Sequence, residues 1–97
     1  MTFSQIIDSP IPVLIDFTAS WCGPCKTMAP VLTDIKKELG DTVKIVKIDI
    51  DESPSTAQTY QVQGVPTFIL FKNNRPVWRQ SGAMPKSVLL SAIRQFL

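Results

Sequence analysis

Val13-Leu14-Ile15-Asp16-Phe17, followed after three residues by Trp21-Cys22-Gly23-Pro24-Cys25-Lys26, is the stretch from which the rest of this chain can be read. Its first half is a nearly continuous apolar run, the pattern of a strand buried on both faces. Its second half holds the chain's only two cysteines and a proline where the first turn of a helix tolerates one. Met28, Val31, Leu32, Ile35 and Leu39 then recur at helical spacing up to Gly40, which acts as a C-terminal stop. Pro30 lies inside this helix and is expected to kink it. The two cysteines therefore sit where a strand hands over to a helix.

Outward from this stretch, residues 2–8 read as a short helix with Phe3, Ile6 and Ile7 on one side, broken by Ser9-Pro10-Ile11-Pro12. Val43-Lys44-Ile45-Val46-Lys47-Ile48-Asp49 reads as a second strand. Ser53-Pro54 reads as a cap and helix start, with a helix over roughly 54–62. Thr67-Phe68-Ile69-Leu70-Phe71 is a third strand, Asn73-Asn74 a tight turn, and Val77 to Ser81 a fourth strand. Pro76 suggests an edge position for that strand. The last helix runs from about Pro85, with Leu89, Ile93, Phe96 and Leu97 on its apolar side. The order is α-β-α-β-α-β-β-α, an α/β chain. Strands joined through helices are expected to be parallel, the final hairpin antiparallel, and helices to cover both faces of the sheet.

At 97 residues the chain is read as one domain, 1–97, with no internal repeat or linker. The apolar fraction of 44% supports a core stable without disulfides. Net charge is +2 and the lysines and arginines are scattered, which gives no basic block for nucleic acid. The absence of histidine removes Ser-His-Asp triads, Cys-His dyads and most catalytic zinc sites. No run approaches a membrane span, and Met1 to Ser9 carries neither a basic n-region nor a long apolar h-region. A reducing, cytoplasmic setting is the corresponding expectation.

A Cys-x-x-Cys pair is either a redox dithiol or half of a metal site. A zinc site needs four ligands, and this chain offers two cysteines and no histidine, so zinc would require cysteines shared between two chains. As a staple the pair does little: closing so short a loop contributes roughly 2 kcal/mol by the chain-entropy relation, against about 3 for a fifteen-residue loop. At a helix N-terminus, unpaired N–H groups and the helix dipole stabilise a thiolate, so Cys22 is expected to ionise readily. Cys25, one turn further in, is expected to be the more buried. These positions suggest that an exposed Cys22 attacks a substrate disulfide and that Cys25 then resolves the mixed disulfide. Asp16, inside an apolar run, is either a carboxylate bound to a backbone group or a buried acid with a raised pKa.

Trp21-Cys22-Gly23-Pro24-Cys25-Lys26, Gly64-Val65-Pro66-Thr67, Lys47-Ile48-Asp49-Ile50-Asp51, Phe71-Lys72-Asn73 and Gly82-Ala83, in this order, resemble the thioredoxin family from about Phe3 to Leu97. The resemblance implies a three-layer α/β/α sandwich with a four-stranded mixed sheet. It implies a protein-disulfide reductase that binds no cofactor beyond its Cys22–Cys25 disulfide, re-reduced by a thioredoxin reductase and acting on disulfide-containing proteins. It implies that Asp16 moves a proton for Cys25, through a water, and that Lys47 pairs with Asp16. Without the family, Lys47 reads equally as a solvent-facing strand lysine. The resemblance further implies a cis Val65-Pro66 peptide against the dithiol, with Val65 free to pair with an extended substrate. Trp21, Gly23, Pro24, Gly64, Val65, Pro66, Gly82 and Ala83 would form the substrate surface. Trp78 reads as packing or surface.

Three departures from the family stand out. Its first strand has no counterpart among the twelve residues before Val13, which leaves the Val43–Asp49 edge open. Lys44 and Lys47 could protect that edge, or two chains could pair there; a monomer is expected, with an edge-strand dimer as the alternative. Thr18 replaces a tryptophan common in the family, and Met84-Pro85 offers no capping side chain to the last helix. Together these predict lower stability than that of a full-length relative. Competing functions are an oxidase or isomerase, against which Gly23-Pro24 argues, and a structural binding module. No Gly-x-Gly-x-x-Gly is present, so no nicotinamide or flavin is expected.

Overall fold

The computed structural model describes residues 1–97. The elements are α1 (Phe3–Ile7), β1 (Val13–Thr18), α2 (Gly23–Leu39), a 3-10 turn (Gly40–Thr42), β2 (Lys44–Asp49), α3 (Pro54–Thr59), β3 (Thr67–Lys72), β4 (Arg75–Ser81) and α4 (Lys86–Arg94). They form a four-stranded mixed sheet of order β2-β1-β3-β4.

Alternation along the strands divides the core into two layers. Leu14, Phe68 and Leu70 pack with Met28, Leu32 and Ile35 of α2 and with Leu89 and Ile93 of α4. Val13, Ile15, Phe17, Ile69 and Phe71 face the other way, onto Ile7 of α1. On that side the rings of Phe3, Tyr60 and Phe71 meet at centroid distances of 5.3 to 5.7 Å. Helices thus lie on both faces. Asp16 shares its parity with Leu14, so it belongs to the layer beneath α2.

The direction of β3 corrects a sequence expectation. β1 and β2 are parallel, but β3, reached through a helix, is antiparallel to β1. Asp49 at the end of β2 lies opposite Thr18, and Thr67 at the start of β3 lies opposite Phe17. The connection therefore leaves and re-enters at the same end of the sheet. At six residues α3 is about 9 Å long, under half the roughly 20 Å of a six-residue strand, and the chain turns back at the end it left. The helix expected over 54–62 stops at Thr59, and Gln61 adopts a positive φ of 53°. Ser53 holds the N-cap position of α3, but its side chain makes no capping bond.

Other local readings survive with shifted boundaries. α1 is closed by a capping box between Thr2 and Gln5, a signal the sequence reading passed over. Asn73 and Asn74 have φ of 51° and 69°, the conformation of a tight hairpin turn. β4 starts at Arg75, two residues before the expected Val77, and Pro76 lies on this edge strand beside an irregularity at Leu70/Phe71. α2 runs from Gly23 to Leu39 without a break at Pro30. α4 begins one residue after Pro85, with no side-chain cap. No helix is long and apolar enough to cross a membrane.

Candidate active site

Cys22 is the N-cap residue of α2, in extended conformation (φ −89°, ψ 110°), and its Sγ accepts the Cys25 backbone N–H at 3.1 Å. This cap is made by sulfur where serine or aspartate oxygen usually serves, so the helix start itself presents a donor to Cys22. Cys22 and Cys25 form a disulfide with their Cα atoms 5.3 Å apart. Their exposure corrects the sequence expectation: Cys22 is 3% exposed and Cys25 7%, so both are buried. Cys22 is covered because its sulfur turns inward to the Cys25 N–H and packs with Ala19, Ile50 and Val65. What separates the sulfurs is hydrogen bonding: Cys22 Sγ receives the helix N–H and lies 3.6 Å from the Val65 carbonyl oxygen.

The Val65-Pro66 peptide is cis, as the resemblance implied. This loop is tied to the end of β4: Gly82 N–H donates to the Pro66 carbonyl at 2.8 Å. Thr67 Oγ1 donates to the Gly64 carbonyl at 2.6 Å and meets Ser81 Oγ at 2.9 Å. Val65 is half-buried, Pro66 buried, and Gly23, Pro24, Gly64 and Ala83 exposed around the disulfide-bearing turn. A Cβ on Gly23 or Gly64 would meet nothing within 4 Å, so space inside the fold does not require glycine at either place.

Trp21 is 66% exposed, and its Nε1 donates to Asp51 Oδ2 at 2.9 Å. Asp49 Oδ1 in turn accepts the N–H groups of Asp51 and Glu52, which orders the turn that carries Asp51. Ile50 and Asp51 are the neighbours that sequence reasoning missed. Both lie within the Lys47–Asp51 stretch, and alternation past β2 was the available signal for Ile50.

Asp16 is buried, and its Oδ1 has no hydrogen-bond partner. It does not cap a backbone group through that oxygen. Burial raises its pKa from 3.8 to about 6, against an opposing pull from Lys47. Lys47 is the register partner of Asp16 on β2, yet it is exposed and makes no ion pair with it. The pairing that the resemblance implied is thus not formed: Lys47 faces solvent, and its charge only opposes the effect of burial on Asp16. Cys25 heads the buried stripe Cys25, Met28, Leu32 and Ile35 with which α2 covers this face of the sheet. No group of three or more His, Cys, Asp or Glu side chains gathers anywhere as a metal site.

A family model described as Thioredoxin matches residues 1–95. The chain belongs to the thioredoxin family. It is 43% identical over 97 residues to Thioredoxin 1 of Synechococcus elongatus, covering 99% of this chain and 91% of that protein. It is 47% identical over 96 residues to the thioredoxin of Mycolicibacterium smegmatis, covering 97% of this chain and 86% of the other. Against Thioredoxin Y, chloroplastic, of Oryza sativa subsp. japonica it is 43% identical, and it spans 58% of that longer protein. A solved mutant thioredoxin from Halobacterium salinarum superposes with a TM-score of 0.88 at 32% identity, covering 96% of this chain and 80% of that one.

A thioredoxin with its cysteine pair in a disulfide is a thiol–disulfide oxidoreductase, and this chain has protein-disulfide reductase chemistry. Among the residues the sequence offered as substrate surface, Gly82 carries a backbone demand. Its φ is +93°, a region L-residues rarely adopt, and its N–H holds the carbonyl of Pro66. Gly82→Ala is expected to lower stability by about 1–2 kcal/mol through this conformation alone. Urea denaturation of the oxidised protein measures it, and an unchanged midpoint would contradict the assignment.

Proposed function

We propose that the chain is a dithiol electron carrier in which Cys22 attacks and Cys25 resolves. The observation that carries this is the Cys25 N–H donated to Cys22 Sγ at the start of α2. A hydrogen bond and the positive end of a helix both favour the thiolate, and the thiolate is the nucleophile. In the reduced protein the Cys22 thiolate attacks one sulfur of a substrate disulfide. A Cys22–substrate disulfide forms and the second substrate sulfur leaves as a thiolate. Cys25 gives up its proton and attacks Cys22 Sγ, the mixed disulfide breaks, and the Cys22–Cys25 disulfide remains with the substrate fully reduced.

Asp16 is the base for Cys25 in this reading. Its pKa of about 6 brings it closer to that of a thiol than an exposed aspartate would be, and leaves it largely charged near neutral pH. Its place on the sheet face beneath α2 supports a path through a water. Lys47 tunes this acid by its charge. Trp21, Gly23, Pro24, Gly64, Val65, Pro66, Gly82 and Ala83 form the docking surface, with the Val65 backbone pairing an extended substrate segment. Ile50 and Asp51 join them, Asp51 by holding the Trp21 ring. A thioredoxin reductase returns the electrons in a reducing compartment such as the cytoplasm, and the carrier works as a monomer.

The test is NADPH oxidation coupled through a thioredoxin reductase to reduction of a disulfide-containing protein. Catalytic turnover is expected with the wild-type chain. Failure of the reductase to reduce the Cys22–Cys25 disulfide would overturn the electron route. Activity that persists in Cys22→Ser would overturn the assignment of the nucleophile.

A further inference from the structure

Gly82-Ala83-Met84 belongs to no helix or strand: β4 ends at Ser81 and α4 starts at Lys86. Its buried N–H groups therefore need partners from elsewhere. The segment is fixed at two points. At one end, Gly82 N–H donates to the Pro66 carbonyl at 2.8 Å, next to the cis peptide. At the other, Met84 N–H donates to Met28 Sδ at 3.5 Å inside the core. Met84 is 8% exposed and Met28 2%, so this N–H is held away from bulk water. Ala83, between the two anchors, is exposed. Met28 follows Cys25 by three residues on the buried stripe of α2. One sulfur thus joins the helix that carries Cys25 to the segment that anchors Pro66. The neighbouring Leu32, Phe68, Leu70 and Leu89 of the same cluster are hydrocarbon and offer no acceptor. A thioether accepts only weakly, yet it is the acceptor this N–H has. Leucine at position 28 would fill the space about as well and leave the N–H unpaired, so packing alone does not ask for sulfur there.

We propose that Met28 is a positioning residue for substrate capture: its Sδ holds Gly82-Ala83-Met84 at the place from which that segment meets a protein substrate. The inference rests on the docking surface proposed above, of which Gly82 and Ala83 are part, and adds to it a residue that never touches the substrate. Glycine is conformationally permissive, so the Pro66 bond alone leaves the rest of the segment free to turn about Gly82. The bond to Met28 removes that freedom. A segment ordered in advance spares the complex the cost of ordering it on binding. A small disulfide that meets only the sulfurs gains nothing from this. The contribution therefore falls on KM for protein substrates and not on the chemical step.

Met28→Leu removes the acceptor at nearly constant volume, and Leu89→Met makes the reverse exchange in the same cluster. Turnover is measured through a thioredoxin reductase, with insulin as the protein disulfide and bis(2-hydroxyethyl) disulfide as the small one. In Met28→Leu, KM for insulin should rise about two- to tenfold at unchanged kcat, the range of one lost hydrogen bond. For the small disulfide kcat/KM should stay at the wild-type value, and Leu89→Met should match the wild type on both. Hydrogen exchange of the ¹⁵N-labelled oxidised protein reads the bond directly. The Met84 amide should be protected in the wild type and exchange about tenfold or more faster in Met28→Leu, beyond any change at the strand amides of Leu14 and Leu70. A wild-type Met84 amide that exchanges as fast as that of Ala83, an unchanged KM in Met28→Leu, or the same rise in Leu89→Met would overturn the proposal. Absence of turnover in the wild-type chain would overturn the reductase reading together with it, whereas normal wild-type turnover beside any of those three results overturns this inference alone.

Discussion

Cys25→Ser is expected to arrest the reaction at a covalent protein–substrate disulfide, and Cys22→Ser to prevent that species from forming. Turnover in both variants should fall to the uncatalysed rate, so activity alone does not distinguish them. The trapped species does. Which sulfur the fold activates decides the difference. Cys22 Sγ caps α2 and accepts the Cys25 N–H at 3.1 Å, whereas Cys25 lies within the first turn and receives no such bond. A serine hydroxyl is a poor nucleophile at neutral pH, so serine at position 25 leaves the Cys22–substrate disulfide with no internal attacker. Incubation with a disulfide-containing protein, followed by non-reducing electrophoresis and mass determination, reads the result. A stable adduct in Cys22→Ser and none in Cys25→Ser would reverse the roles.

Asp16→Asn is expected to stabilise the oxidised protein by about 2–3 kcal/mol above pH 7, roughly 10–20 °C in Tm for a chain this size. The sign follows from linkage. The folded-state pKa of Asp16, about 6, lies above its ordinary value of 3.8 because burial disfavours the charged form. Between these two values the folded state binds more protons than the unfolded one, so wild-type stability is fully present below about pH 3.8. It declines as pH rises to about 6 and is level above. The asparagine variant lacks this slope, so the two proteins should converge at pH 4 and separate by pH 8. Denaturation at the two pH values measures it; parallel curves would show that Asp16 is not the titrating group. On the proposed role of Asp16 as base for Cys25, the same variant should also resolve the mixed disulfide more slowly. A group held at a cost of this size, with one oxygen unpartnered, is better explained by chemistry than by packing.

Much of the site was legible because its signals are local. The strand into Phe17, the helix from Gly23 and the two cysteines between them follow from a few consecutive residues. Asn73-Asn74 announced its turn by tolerating positive φ. Asp16 was conspicuous as an acid in an apolar run. Beyond shifted element bounds, the misreadings involve which segments meet. β3 was expected to be parallel because a helix precedes it, yet the short α3 returns the chain to the end of the sheet it left. Cys22 was expected to be exposed, but burial depends on Ile50 and Val65, which arrive from two other segments. Asp51 passed unnoticed because its role is to hold a ring thirty residues away.

From the sequence by itself came the identity of the reacting atoms and of the elements that carry them: a dithiol at a helix start, a buried acid on the preceding strand, and helices enough for both faces of a sheet. These depend on residue type and short-range period, which a linear chain displays directly. Tertiary packing alone settled the antiparallel course of β3, the shared burial of both sulfurs, and the meeting of Val65 with Cys22 and of Asp51 with Trp21. Those properties arise from which segments meet, and that is governed by the lengths of connections and by burial summed over distant residues.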